Sequence, residues 1–300
     1  MNKLYNKLNE SGRVIPVVKI IPVYEKSLDV KTRFHIWVEI LNFFAIQGCV
    51  MFSDLFIDGI KISKDIEKNE SYIFNLPVVK GLIEREELLF NRKVTFFIGE
   101  NGTGKSTLLE AIAVSFGFNA EGGTRNFNFS TEKTHSDLHE FLTVYKGIKR
   151  PTDGFFLRAE SFYNVASEID RLDKIAPVYD SYGGKSLHEQ SHGESFLSLV
   201  LNRFGGNGVY ILDEPEAALS PSRQMTLIAV IDSLVRKNSQ FIISTHSPIL
   251  MAYPDADIFS LTDDNIILTP YEETEHYILT KQFLNNPQKM LKYLLEDSQE

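Results

Sequence analysis

The sequence predicts an α/β fold built on a largely parallel sheet. Three observations predict it. Short apolar runs alternate with helical ones along most of the chain. A glycine-rich loop stands between one such strand and the helix after it. A later apolar strand ends in two carboxylates. The 300 residues are ample for a core, as one large domain or two small ones. Hydrophobic content of 43% and charged content of 24% are ordinary for a soluble globular chain. The net charge of −9 gives no general attraction for nucleic acid and leaves room only for a local basic groove. The single cysteine, Cys49, excludes an internal disulfide and a multi-cysteine metal site. It reads as a small hydrophobe in a reducing cytoplasm.

Residues 1–50 differ from the rest. Arg13 to Tyr24 (RVIPVVKIIPVY) is β-prone, but Pro16 and Pro22 limit it to an edge strand. Phe34 to Ile46 places Ile36, Ile40, Phe43 and Phe44 at helical spacing and reads as an amphipathic helix. No segment reaches the ~18 uninterrupted apolar residues of a membrane span. The start MNKLYNKLNESGR lacks the apolar region and small-residue cleavage site of a secretory signal. Met51 to Ile57 opens a new alternating stretch. We therefore expect residues 1–50 to be an N-terminal extension, added or arising from a misplaced start codon, and residues 51–300 to be the domain proper. That the first fifty are an ordinary part of the domain stays open.

Val94-Thr95-Phe96-Phe97-Ile98 reads as a strand, and Lys105 to Phe116 as a helix with Gly117 as its C-cap. Between them Gly99-Glu100-Asn101-Gly102-Thr103-Gly104-Lys105-Ser106 fits G-x-x-x-x-G-K-[ST] at every fixed position. Such a match arises by chance in roughly one chain in a hundred of this length, so the flanking strand and helix matter to the reading. Glycines let backbone N–H groups close around phosphates, Lys105 reaches the outer phosphates, and the Ser106 hydroxyl is a Mg²⁺ ligand. Thr107 follows at the helix start, where the dipole favours an anion.

Downstream come a strand at Gly154–Arg158, a polar loop, a helix from about Glu194, and a strand at Val209–Leu212. A helix at Ser222–Arg236 and a strand at Gln240–Ser244 follow. The end is a strand pair, Ile258–Leu261 and Ile266–Leu268, and a helical tail from about Glu275. Val209 to Glu214 is a buried-type strand with acids at its C-terminal end, where α/β sheets place ligands. Asp213 would hold Mg²⁺, directly or through water. Glu214 would orient or deprotonate the attacking water. Phe241 to His246 is a second apolar strand, and its terminal histidine is a candidate phosphate sensor. Gln190-Ser191-His192-Gly193-Glu194-Ser195 puts a Ser/Gly turn at a helix N-terminus, a further anion-binding feature. Ser191 is equally suited to simple helix capping.

The order GENGTGKS, QSHGES, YILDEPEAALS, FIISTH resembles the ABC-type ATPase head. Within it the chain is similar to small stand-alone AAA-family ATPases related to RecF, SMC and OLD-nuclease heads. The resemblance covers about residues 51–300. It implies a P-loop NTPase of ABC/SMC-head-like architecture, with a mostly parallel sheet core and a helical signature subdomain. It implies ATP and Mg²⁺ as cofactors, with Lys105 and Ser106 as Walker A residues and Asp213 and Glu214 as Walker B. It places Ala218-Leu219-Ser220 at the D-loop and His246 at the switch position. Ser191 and Gly193 become signature residues reaching the γ-phosphate of a second copy, so an ATP-dependent head-to-tail homodimer is expected.

The chain departs from the pattern at His192, where a glycine is usual, and after Arg158, where no glutamine stands. Glu160 is the candidate for that role, or a solvated acid. Arg125 is a surface cation or a phosphate contact. The expected protein is a cytoplasmic Mg-dependent ATPase without direct membrane insertion, acting in DNA transactions or phage defence with DNA or a nuclease as candidate partner. A membrane transporter's ATP-binding subunit and a low-turnover regulatory switch are the alternatives. Tail positions Tyr277, Ile278, Phe283, Leu284, Met290, Leu291, Leu294 and Leu295 suggest two helices divided at Asn286-Pro287. We expect these to pack on the domain's own sheet rather than on a partner.

Overall fold

The computed structural model describes residues 53–68, 71–124, 136–175, 177–263 and 265–296. All but Ser53 belong to one unit of the chain, Asp54–Glu300. The expectations for residues 1–50 and for Arg125 lie outside the described residues. In chain order the strands are β1 (Ile57–Ile62), β2 (Glu87–Leu89), β3 (Val94–Ile98), β4 (Leu142–Lys146), β5 (Asp153–Arg158), β6 (Gly208–Asp213), β7 (Gln240–Ser244), β8 (Ala256–Leu261) and β9 (Ile266–Leu268). The helices are α1 (Pro77–Arg85), α2 (Lys105–Phe116), α3 (Leu138–Phe141), α4 (Phe162–Asp173), α5 (His192–Arg203), α6 (Pro221–Arg236), α7 (Pro248–Met251), α8 (Glu275–Asn285) and α9 (Pro287–Glu296).

Among the described residues the main sheet has six strands in the order β5-β6-β7-β3-β8-β9. All its pairings are parallel except β8 with β9. Every residue of β3, β6 and β7 is buried. Strands covered on both faces read as continuous apolar runs, which is why VTFFI and VYIL show no polar alternation. The period of two sorts these side chains into two cores. Phe97, Val209, Ile211 and Ile242 meet α2 on one face. Phe96, Ile98, Tyr210, Leu212, Phe241 and Ile243 meet α4, α5 and α6 on the other. The result is a three-layer α/β domain whose second face is covered by α4, α5 and α6.

A three-stranded antiparallel sheet, β2-β1-β4, joins the first of these cores. Buried Gln240 ties it to the start of β7. Its Oε1 accepts from the Phe56 and Ile57 N–H groups, each at 2.9 Å, and its Nε2 donates to the Ile57 carbonyl at 2.8 Å.

Three expectations are corrected. Of the strand expected at Met51–Ile57, the described residues 53–56 are not strand, and β1 runs instead over Ile57–Ile62, where β2 and β4 supply partners. The polar loop after Arg158 contains α4; Phe162, Val165, Ala166 and Ile169 are all buried, at helical spacing. The tail does form two helices, but it does not pack on the sheet. No residue of α8 is fully buried, and Leu284, Leu294 and Leu295 are 71%, 60% and 65% exposed. Among the described residues β3, β6 and β7 are buried throughout, so the centre of the sheet offers the tail no free apolar face.

Candidate nucleotide site

The phosphate-binding loop leaves β3 and enters α2. A Cβ on Gly99 would lie 2.6 Å from the Leu261 carbonyl oxygen, and Gly104 caps α2 at φ 93°, a left-handed conformation that glycine adopts without strain. The loop is braced from outside by α1, whose Val78 N–H donates to the Thr103 carbonyl at 3.0 Å. Thr103 Oγ1 donates to the Glu100 carbonyl at 2.9 Å, while Glu100, Asn101 and Gly102 face solvent. Ser106 and Thr107 are partly exposed on the first turn of α2. That turn's N–H groups have no side-chain cap, which leaves them for an anion.

Lys105 is 4% exposed and donates from Nζ to the Gly99 and Glu100 carbonyls, both at 2.9 Å. Burial pulls its pKa down, against Glu214, Asp213 and Glu216, which push it up. Strand order brings the remaining groups in. β7 separates β6 from β3, with Asp213 and Phe97 both in register with Ser244. Asp213, 4% exposed, therefore faces the loop, and its Oδ1 accepts from Ser106 Oγ at 3.0 Å and from Ser244 Oγ. Burial raises its pKa, against the hydrogen bonds and Arg158. Two oxygens about 3 Å apart suit adjacent positions around an octahedral Mg²⁺, so Ser106 and Asp213 fit that ion.

Glu214 leaves the strand in a left-handed conformation, φ 49°, ψ 53°, held by its N–H donating to both the carbonyl and hydroxyl of Ser244 at 3.1 Å. A non-glycine residue there stores backbone strain, and such strain concentrates at functional sites. His246 Nε2 lies 3.6 Å from Glu214 Oε1, and the His246 N–H donates to Glu216 Oε1 at 2.6 Å.

Two family models match this framework. One, the AAA domain, covers residues 79–181, and the other, the AAA ATPase domain, covers residues 195–251. The first spans the phosphate-binding loop, and the second spans Asp213, Glu214 and His246. A "Putative ABC transporter ATP-binding protein" of Caldanaerobacter subterraneus subsp. tengcongensis is 25% identical over 241 residues, covering 75% of this chain and 95% of that protein. The chain is a P-loop ATPase similar to AAA-family domains and to ABC ATP-binding proteins. The ATPase is also 26% identical to the ribose import ATP-binding protein RbsA of Bacillus cereus, over 67% of this chain but 42% of that protein. Among solved structures, the SMC head domain from Thermotoga maritima matches 61% of this chain and 93% of that one, at 16% identity and a TM-score of 0.36.

The turn Gln190 to Gly193 stands at the N-terminus of α5. Ser191 is exposed, and its N–H and hydroxyl both donate to Glu194 Oε2, at 3.2 and 2.6 Å. Glu194 in turn pairs with Arg223 at 3.3 Å. Gly193 is buried where a Cβ would meet the Ala218 carbonyl at 2.7 Å, so it lets α5 approach the segment Ala218-Leu219-Ser220. His192, in place of the usual glycine, is exposed.

Several residues of the site escaped the sequence reading. Arg158, not Glu160, stands beside the carboxylates: its Nε is 3.5 Å from Asp213 Oδ2 and its Nη1 is 2.6 Å from Glu110 Oε2. The Glu160 side chain is 86% exposed. Arg158 ends β5 in register with Asp213, so the strand-end rule that found Asp213 would have found it too. Glu216 is two residues beyond Glu214 in the quoted motif. His276 had no local signal; α8 brings it to His246 from the far end of the chain.

Proposed function

We propose that the chain binds Mg·ATP between two head-to-tail copies and hydrolyses it there. The observation that carries this reading is the convergence of Lys105, Ser106, Asp213, Glu214 and His246 at the ends of neighbouring strands, with Ser191 exposed at a helix N-terminus and, among the described residues, hydrogen-bonded within its own turn. Ser106 and Asp213 would hold the metal, which supplies charge neutralisation at the phosphates. Lys105 would exchange its loop carbonyls for phosphate oxygens. Glu214 would align the attacking water, and His246 would meet the terminal phosphate. Ser191 and Gly193 of the second copy would close the site, as preorganised donors around developing charge. ATP then clamps the pair and hydrolysis reopens it. Residues 51–300 would form this unit, working in the cytoplasm where ATP is supplied.

Sizing with and without ATP tests the reading. Glu214→Gln is expected to accumulate an ATP-dependent dimer with turnover lowered by about a hundredfold or more. Ser191→Arg is expected to abolish both dimer and hydrolysis. An intact ATP-dependent dimer in Ser191→Arg would refute the shared site.

The cellular task proposed from the RecF/SMC/OLD resemblance is a DNA transaction or phage defence with DNA or a nuclease as partner. A second reading, the energising subunit of a membrane transporter, is favoured by the import proteins among its relatives. Salt-dependent DNA binding supports the first, and co-purification with a membrane permease supports the second.

A further inference from the structure

His246 Nε2 is buried and has no hydrogen-bond partner among the described residues. The carboxylate oxygen of Glu214 lies 3.6 Å away. A bare lone pair at Nε2 would face that negative oxygen, whereas an N–H there is attracted to it. The geometry therefore favours the Nε2–H tautomer. In a neutral imidazole the other nitrogen, Nδ1, must then accept. Its partner is at hand: His276 Nε2 stands 3.2 Å from His246 Nδ1.

His276 is firmly placed. It sits on the first turn of α8, whose N-cap Thr274 is 1% exposed and accepts from the Tyr277 N–H. The 3-10 turn Tyr271–Glu273 before it is tied to the segment after His246, with Tyr271 Oη donating to the Pro248 carbonyl at 2.9 Å. The groups around the pair are Lys105, Glu214, Glu216 and Glu275.

We propose that His276 is a positioning residue for hydrolysis, donating from Nε2 to His246 Nδ1 and so holding His246 in the tautomer that offers an N–H to the terminal phosphate. The role rests on the hydrolytic reading above. Burial and Lys105 bring both rings below the usual histidine range, His246 to about 4, so the pair is neutral at physiological pH and the tautomer is a real choice. A third group that orients a working imidazole is a general device.

Two variants of the full chain test the proposal. His276→Gln keeps an N–H donor on a side chain of similar reach; His276→Leu keeps bulk and loses the donor. The first measurement is ¹⁵N histidine-ring spectroscopy of the nucleotide-free protein, which reads tautomers directly. His246 is expected as Nε2–H in the wild type and His276→Gln, and as a mixture or Nδ1–H in His276→Leu. The second is steady-state ATP hydrolysis. His276→Leu is expected to lose about tenfold in kcat with KM for ATP within about twofold, and His276→Gln to recover most of the rate. An unchanged tautomer in His276→Leu, or equal loss of rate in both variants, overturns the proposal. Absence of turnover in the wild type would instead sink the hydrolytic reading, and the ring spectra would still decide the histidine pair.

Discussion

His246 is where single-residue physics has the largest consequence. Its folded-state pKa of about 4 lies below the unfolded value of 6.5, mainly through burial and then Lys105 and His276. A neutral buried histidine favours the native state fully above pH 6.5, and that contribution drains away as pH falls through 6.5 toward 4, where only the unfolded chain takes the proton. Urea unfolding between pH 7 and 4.5 is expected to show a shallower fall in stability for His246→Gln than for the wild type. Equal slopes would mean that the ring titrates normally. The kcat profile is likewise expected to lack a histidine limb at 6.5. These expectations rest on an environment the sequence hides. FIISTH shows that a histidine ends a strand, but its lowered pKa comes from burial together with the charges of Lys105 and of His276 on α8, both remote in sequence. Glu214, Lys105 and Ser106 were legible because their motifs spell local geometry. The left-handed φ of Glu214 was not, because nothing in LDEP distinguishes it from an extended residue.

At the scale of elements, burial separates what holds the fold from what decorates it. Gln240 carries three buried hydrogen bonds between β7 and the residues that begin β1. Gln240→Leu would strand two backbone donors and one acceptor, and unsatisfied buried groups cost about 1–3 kcal/mol each. A drop of at least about 2 kcal/mol in unfolding free energy is expected, with no change in denaturant slope; a neutral substitution would show that water replaces the amide. The opposite holds for α9, which runs from Pro287 to Glu296 with nearly every described side chain exposed. Ending the chain after Asn286 is expected to leave the thermal midpoint within about 2 °C and ATP turnover unchanged, measured by calorimetry and phosphate release. A large loss would place α9 in the core economy of the domain. Periodicity revealed both tail helices but not their exposure, since an amphipathic pattern names a face without naming what covers it. α4 is the converse case: its apolar spacing was present in the sequence, masked by the polar residues between.

For the whole molecule, the alternation of strands and helices sufficed to foresee layered α/β architecture, but not the order of the strands. Pairing partners are a property of the assembled sheet, and β3, β6 and β7 share the same continuous apolar signature. The order has a consequence for how the chain reaches this state. β3, which launches the phosphate-binding loop, is hydrogen-bonded on one side to β7 and on the other to β8. Both come from residues 240–261, the last third of the chain. A growing polypeptide thus carries VTFFI without either native neighbour until residues 240–261 are made, and such a segment invites pairing with other chains. Contacts of long sequence separation also slow folding. The strand that makes nucleotide binding possible is among the last to be secured, so the period before residue 261 is complete is when this chain most depends on being kept apart from its neighbours.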